Sequence, residues 1–298
     1  MSAAKPFLKW VGGKTQLLQD LVDRLPSDFD LSVKTYIEPF VGGGAFLFWI
    51  LQNKPNISHI IINDSNPDLI NAYLTIQKCC DDLLDELLNL EKRYYAFKDE
   101  IQRKSFFLSQ REIFNKTLVT PLSVQIKKTA LLIFLNRTCF NGLYRVNSKG
   151  QFNVPFGRYT NPCICNSETI KADSLLLQNV EIRNSDFEQT IDEVTSSCFL
   201  YLDPPYRPLD ATSSFCNYTK GGFDDSEQTR LSLFCRNLDK KKARWMLSNS
   251  DPKGKNPSDT FFDVLYKGFN IQSVQASRML NSNPQKRGKL RELLITNY

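Results

Sequence analysis

The apolar run Cys198-Phe-Leu-Tyr-Leu202 stops at Asp203-Pro204-Pro205-Tyr206. The run reads as a buried β-strand. The two prolines behind it fix the backbone, remove two N–H donors and leave carbonyls exposed. An aspartate is thereby held at the carboxyl edge of a strand, where the ligand sites of open α/β sheets gather. Asp203 and the Pro204 carbonyl can together accept both hydrogens of one exocyclic amine, and Tyr206 offers a flat face on which a base can stack. A rigid strand-to-loop turn would use the same residues, so the rest of the chain has to support the reading.

It does so by its alternation. Tyr36–Ile37, Ile60–Ile62, Val180–Arg183, Phe199–Leu202, Trp245–Leu247, Ile271–Val274 and Leu293–Thr296 read as short strands, with helical patterns between several of them. This is the spacing of a parallel sheet with crossovers. Residues 68–104 and Val124–Asn136 are helical in pattern, and Asn147-Ser148-Lys149-Gly150 sits in a hairpin signal over Leu143–Pro155. The expected fold is α/β, with residues 1–69 and 176–298 forming the sheet domain and 70–175 an inserted helical and β-hairpin domain.

A second feature adds a ligand. Residues 36–46 read Tyr-Ile-Glu-Pro-Phe-Val-Gly-Gly-Gly-Ala-Phe, a strand running into glycines and then a helix. Glycines there let the backbone turn tightly and approach a ligand. Leu47 stands where a dinucleotide fingerprint needs its third glycine, so a nicotinamide site is not supported. The next strand ends in Asn63-Asp64, an acid about 20 residues past the loop and placed to accept from ribose hydroxyls. Lys9–Thr15 resembles a phosphate loop, but Leu8 occupies the position of the required first glycine, which excludes that reading.

Charge points to the partner. The formal net charge of +6 is modest for 298 residues, but it is unevenly spread. Ile113–Ser167 holds no acid and contains Lys116, Lys127, Lys128, Arg137, Arg145, Lys149 and Arg158. Val264–Arg291 again holds none, against Lys267, Arg278, Lys286, Arg287, Lys289 and Arg291. Such segments suit a polyanion, or a solvated basic face with no partner. The one histidine, His59, opens a strand and is expected to be structural; with no second histidine, zinc and zinc-deaminase chemistry are not expected. The eight cysteines show no metal spacing and are expected to be free, mostly buried thiols. No apolar run is long enough for a membrane span and the first residues carry no signal pattern, so a soluble cytoplasmic protein is expected, without metal or membrane contact.

With these motifs in hand, the chain resembles the Dam family of DNA adenine N6-methyltransferases, in the α-group order. Phe7–Thr15 is similar to that family's Phe-Leu-Lys-Trp-x-Gly-Gly-Lys, Glu38–Gly44 to its Glu-Pro-Phe-x-Gly-x-Gly, and Asp203–Tyr206 to its Asp-Pro-Pro-Tyr. Phe140–Arg145 and Phe152–Tyr159 resemble its recognition hairpin. Val41 and Gly43 fall at its variable loop positions. The resemblance runs along essentially the whole chain and implies a Rossmann-like, S-adenosylmethionine-dependent methyltransferase sheet.

It further implies that Trp10, Lys14, Glu38, Phe40, Gly42, Gly44, Asp64, Asp186 and Asp203 hold S-adenosyl-L-methionine. Asp203, Pro204, Pro205 and Tyr206 would be catalytic, gripping a flipped adenine. Asn141, Arg145, Lys149, Pro155, Arg158 and Tyr159 would contact double-stranded DNA, in GATC sites. A monomer is expected, associated with the nucleoid in a bacterium, serving either restriction-modification or DNA replication or repair. Other targets for the same motif are cytosine N4 and RNA adenine; a catalytically inactive DNA-binding relative and a protein or small-molecule methyltransferase are the remaining alternatives. Arg207–Phe223, rich in small and polar residues, is expected to act as a lid.

Overall fold

Alternation of side chains along each strand divides this protein into two apolar layers. In the computed structural model, which describes residues 4–10, 12–117, 125–208, 223–277 and 289–298, the strands are β1 (Thr35–Glu38), β2 (His59–Asn63), β3 (Val180–Arg183), β4 (Cys198–Leu202), β5 (Arg244–Ser250), β6 (Asn270–Ser277) and β7 (Lys289–Thr296). Tyr36 and Phe199 face one buried cluster, while Ile37, Leu200 and Leu202 face another. Opposite faces for neighbouring residues follow from the period of two.

The described strands form one sheet in the order β3-β2-β1-β4-β5-β7-β6. The first five are parallel, with Ile37 opposite Leu200 and Leu202 opposite Leu247. β7 enters antiparallel between β5 and β6, with Leu247 opposite Ile295 and Ile271 opposite Ile295 from the other side. The strand order reverses at β1 and β4, and the crevice beyond their carboxyl ends is where such a sheet accepts a ligand.

The helices are α1 (Leu18–Val22), α2 (Phe29–Ser32), α3 (Ala45–Asn53), α4 (Pro67–Lys78), α5 (Cys80–Ala96), α6 (Glu100–Lys116), α7 (Ile126–Thr138), α8 (Ser167–Leu177), α9 (Asp225–Lys240) and α10 (Phe261–Leu265). Local chemistry starts several of them. Asn66 accepts from the backbone N–H groups of Asp68 and Leu69 ahead of Pro67, and Asp224 accepts from Ser226 and Glu227, as good N-caps do. The single helical pattern over 68–104 resolves into α4, α5 and the start of α6. Cys79 is non-helical and Phe97 extended, breaks that neither proline nor glycine announces. The boundaries at 70 and 175 fall inside α4 and α8, which pack on each other. Buried residues of α4, α5, α7 and α8 join Tyr36 and Phe199 in one continuous cluster.

The hairpin forms with less pairing than the sequence suggests. Its arms meet through isolated bridges, Val146 to Phe152 and Cys139 to Phe156. The tip is closed by the Asn147 side chain, whose Oδ1 accepts from the N–H groups of Lys149 and Gln151. The Asn115 amide of α6 holds Phe152 at both its backbone N–H (2.8 Å) and its carbonyl (3.0 Å). Among the described residues no helix is long and apolar enough to cross a membrane and no group of metal-ligating side chains occurs. The seven described cysteines are free, but only Cys139, Cys198 and Cys235 are buried, fewer than expected. His59, at the start of β2, faces Glu181 at 3.2 Å from an exposed position.

Candidate active site

Four acidic positions reach the crevice from four adjacent strand ends: Glu38 ends β1, while Asp64, Asp186 and Asp203 lie just past β2, β3 and β4. Between them runs the glycine loop. Gly44 adopts φ 72° and opens α3; a Cβ there would lie 2.4 Å from the Tyr73 hydroxyl. That hydroxyl donates to the Gly42 carbonyl at 3.0 Å, so α4 fixes the loop's curvature. Gly43 is the unexpected member. A Cβ on it would meet Trp10 Cβ at 2.9 Å. Trp10 thus lies directly against the loop, and a position expected to tolerate variation is sterically closed here.

The loop is held from below by Asn63, fully buried at the end of β2. Its amide donates to the carbonyls of Pro39 (3.1 Å) and Ser185 (3.0 Å), and its oxygen accepts from the Ser185 N–H. Asp64 accepts from the N–H of Gly42 at 3.1 Å and of Asn66 at 2.9 Å. Burial pushes its carboxyl up to about 6, against the lowering effect of those two donors. Glu38 is buried, accepts from the Tyr36 hydroxyl at 2.6 Å, and is held well above the usual carboxylate range by burial. Asp186 instead caps the turn Phe187–Glu193 and pairs with Arg230 at 2.7 Å. Phe40 stacks at a tilt on Phe187, 5.2 Å between centroids, walling the same side.

The second half of the crevice is built around Asp203. Lys14, only 5 % exposed, places Nζ 2.8 Å from Asp203 Oδ1. Ser248 of β5 donates to the same oxygen at 2.9 Å, and the Tyr201 hydroxyl lies 3.1 Å from Ser248 Oγ. Burial raises the Asp203 pKa while Lys14 opposes the shift. The Tyr206 hydroxyl donates to Glu292 of β7 at 2.5 Å, and Lys14 Nζ sits 4.3 Å over the Tyr206 ring. One expectation needs correcting: the prolines do not leave two open carbonyls. The Gln228 amide donates to the Pro205 carbonyl at 3.1 Å and is braced by Asn249. Among the described residues none donates to the Pro204 carbonyl.

Above this crevice stands the hairpin. Asn141 (φ 55°) and Gly142 (φ 63°) are consecutive left-handed residues, and they turn Phe140 and Asn141 outward. Asn136 pins the turn: its amide donates to the carbonyls of Gly142 and Lys9, and its oxygen accepts from the Lys9 N–H. Arg145 is half-buried and donates from Nε to Asn153 Oδ1 at 2.7 Å. Lys149, Pro155 and Arg158 are exposed, and Lys9 Nζ lies 5.1 Å over the Tyr159 ring. Two cations of the first basic segment face inward instead. Lys128 is buried and donates to the carbonyls of Phe114 and Thr117, and Arg137 donates to the Phe7 carbonyl at 2.7 Å. Of the second segment, Arg278, Lys286 and Arg287 lie outside the described residues, as does most of the expected lid.

Residues 10–280 match the D12 class N6 adenine-specific DNA methyltransferase family. The chain belongs to that family. It is 48% identical, over 99% of both chains, to the Type II methyltransferase M.MjaIII of Methanocaldococcus jannaschii. It is 37% identical to the Type II methyltransferase M1.LlaDCHI of Lactococcus lactis subsp. cremoris, over 99% of this chain and 95% of that one. It is 30% identical to the DNA adenine methylase of Haemophilus influenzae, over 97% of this chain and 92% of that one. The expected family, the α/β sheet and the enzyme class are therefore borne out.

Within this adenine-specific methyltransferase, sequence reasoning missed Ser248 and Glu292. Both continue apolar strands past the point where the apolar pattern ends, at Ser248-Asn249-Ser250 and at Glu292 before Leu293. Polar residues prolonging a strand at its ligand end were the available signal.

Proposed function

We propose that this enzyme transfers a methyl group from S-adenosyl-L-methionine to N6 of an adenine flipped out of double-stranded GATC sites. The observation that carries the proposal is the Asp203 carboxylate, anchored through Oδ1 by Lys14 and Ser248 at the end of β4, next to the glycine loop after β1. The residues present fit such a methyl donor. The glycine cradle against Trp10 leaves no room for side chains. Asp64 has its carboxylate oriented by two backbone donors, which suits ribose hydroxyls. The acids around the crevice suit a cationic ligand, and Trp10, Lys14, Glu38, Phe40, Gly42, Gly44, Asp64, Asp186 and Asp203 would hold it.

When bound, the donor supplies a methyl already activated on a sulfonium. The protein's task is then to present the amine. The N6 lone pair is delocalised into the ring and is a poor nucleophile. Asp203 accepts one amine hydrogen and the Pro204 carbonyl the other, which favours a tetrahedral nitrogen. Both bonds strengthen as positive charge grows on that nitrogen. Stacking on Tyr206, worth roughly 1–3 kcal/mol, offsets part of the few kcal/mol that unstacking the base costs. The Glu292 contact fixes the ring's orientation. Alignment of the two reacting partners contributes much of the rest.

Residues 70–175 would carry recognition, with Asn141 and Arg145 at base edges and Lys149, Pro155, Arg158 and Tyr159 along the DNA. The enzyme would act as a cytoplasmic monomer. Two relatives are named Type II methyltransferases, which favours restriction-modification over replication or repair. The family match favours adenine in DNA over cytosine N4 or RNA.

Labelled S-adenosylmethionine, offered with duplexes that contain GATC or its scrambled sequence, tests the reading. Label should appear on adenine N6 of the GATC duplex alone and vanish in Asp203→Ala while duplex binding persists. Equal labelling of both duplexes overturns the site, and undiminished turnover by the variant overturns the role of Asp203.

A further inference from the structure

Tyr144 contacts the opposite arm of the hairpin, the wall of the glycine loop and the first turn of α4. Only 6 % exposed, it stands next to Arg145 on the hairpin. Its ring meets Phe152 of the opposite arm edge-on, 5.9 Å between centroids. The other contact is a stack on Trp10, at 5.2 Å and 25° between planes. Trp10 in turn lies against Gly42 and Gly43 of the glycine loop. The Tyr144 hydroxyl donates to Asp68 Oδ2 at 3.2 Å, in the first turn of α4. The N-cap of that turn, Asn66, accepts from Asp68 N–H and donates its own N–H to Asp64 Oδ1 at 2.9 Å. Two short routes therefore leave one side chain: by ring stacking to the glycine loop, and by hydrogen bonds to the Asp64 carboxylate. Lys128 Nζ, 3.5 Å from Asp68 Oδ1, pins the polar junction from α7.

We propose that Tyr144 is a positioning residue that couples DNA engagement at the hairpin to binding of the methyl donor at the glycine loop. The inference rests on the functional reading above and deepens it. A hairpin seated on its site would move or hold the Tyr144 ring, and the ring sets how Trp10 and the first turn of α4 meet the donor pocket. Buried, close-packed side chains pass on such displacements because they cannot deform continuously. Coupling of this kind is reciprocal: duplex changes donor affinity by the same factor by which the donor changes duplex affinity.

The test is a binding cycle without turnover, using the full-length protein, sinefungin as an unreactive donor analogue and a GATC duplex. Each affinity is measured by calorimetry alone and in the presence of the other ligand. Wild type should show a coupling factor of about fivefold or more, equal in both directions. Tyr144→Phe, which keeps the stack and loses the Asp68 bond, should lower the factor. Tyr144→Leu, which loses both, should bring it to within about twofold of unity while each single-ligand affinity stays within about threefold. A merely structural role would weaken both single affinities and leave the factor intact. A wild-type factor of unity, or Tyr144→Phe and Tyr144→Leu factors equal to wild type, overturns the inference. Should Tyr144→Leu not fold, Tyr144→Phe decides alone. Failure of wild type to bind sinefungin or duplex at all would instead sink the functional reading.

Discussion

Lys14 and Asp203, brought from the first turn of the chain and the end of β4, meet at 2.8 Å with the lysine almost wholly enclosed. The ammonium favours the carboxylate form that burial disfavours: burial raises the Asp203 pKa and Lys14 opposes the shift. Removing the cation therefore raises that pKa further. In the proposed mechanism the carboxylate form is the hydrogen-bond acceptor for the substrate amine. In Lys14→Met, the acid limb of the single-turnover rate profile, taken at saturating donor, should move to higher pH. An unmoved limb with a uniformly lower rate would mean that Lys14 acts only in binding.

Asp64 sets a second pH dependence. Its carboxyl is pushed up to about 6, so it gains a proton just below neutrality. If it accepts from ribose hydroxyls as a carboxylate, donor affinity should weaken as pH falls below about 6 and level off above 7. Asp64→Asn should bind more weakly and show no such inflection. Titration calorimetry with sinefungin between pH 5 and 8 reads this directly, and an inflection that survives in the variant would assign it elsewhere.

Arg145 is oriented by Asn153 before any DNA arrives. A pre-set guanidinium suits bidentate contact with guanine O6 and N7. Arg145→Ala should lose about 1–3 kcal/mol of discrimination at one base pair of the site and leave binding to random duplex nearly unchanged. Competition binding against single-position variants of GATC measures both. A uniform loss across all sequences would place Arg145 on phosphate.

Stability should carry the mark of Asp173. It is fully buried in α8 and accepts from the Lys5 N–H at 3.1 Å, and its other oxygen has no hydrogen-bond partner among the described residues. Burial pushes its pKa to about 8, against 3.8 for the ordinary group. Between those values the folded protein keeps a proton that the unfolded chain has released. Its contribution is thus fully present below about pH 4 and is lost as pH rises through about 8, by at most about 1.4 kcal/mol per pH unit. Urea unfolding of wild type and Asp173→Asn should give similar stabilities at about pH 4 and below, and an advantage to the variant that grows up to about pH 8 and persists near about pH 9. Parallel curves would contradict the buried, protonated state.

What could be read ahead of the structure was what the chain writes locally. Asp203-Pro204-Pro205-Tyr206, the glycine loop and the Asn63-Asp64 strand end are contiguous, and each carries its own steric or hydrogen-bonding logic. The partners of those residues are not contiguous with them. Ser248 reaches Asp203 because β5 pairs with β4 in a register that sets Leu247 beside Leu202. Glu292 reaches Tyr206 because β7 lies beside β5. Strand order is decided by pairing between distant segments, on which periodicity is silent. Lys128 illustrates the converse: its charge counted toward a basic surface, but helix α7 turns it into the interior, where two carbonyls receive it.

The placement of β7 has a consequence for how this enzyme comes into being. A strand that wedges antiparallel between β5 and β6 leaves β6 without a strand partner, and β5 paired on its β4 side alone, until the last of the three has been synthesised. Tyr206 lacks its Glu292 anchor for the same interval. A nascent chain should thus be catalytically silent on the ribosome until that strand emerges, and its formation should be a slow, late step of maturation.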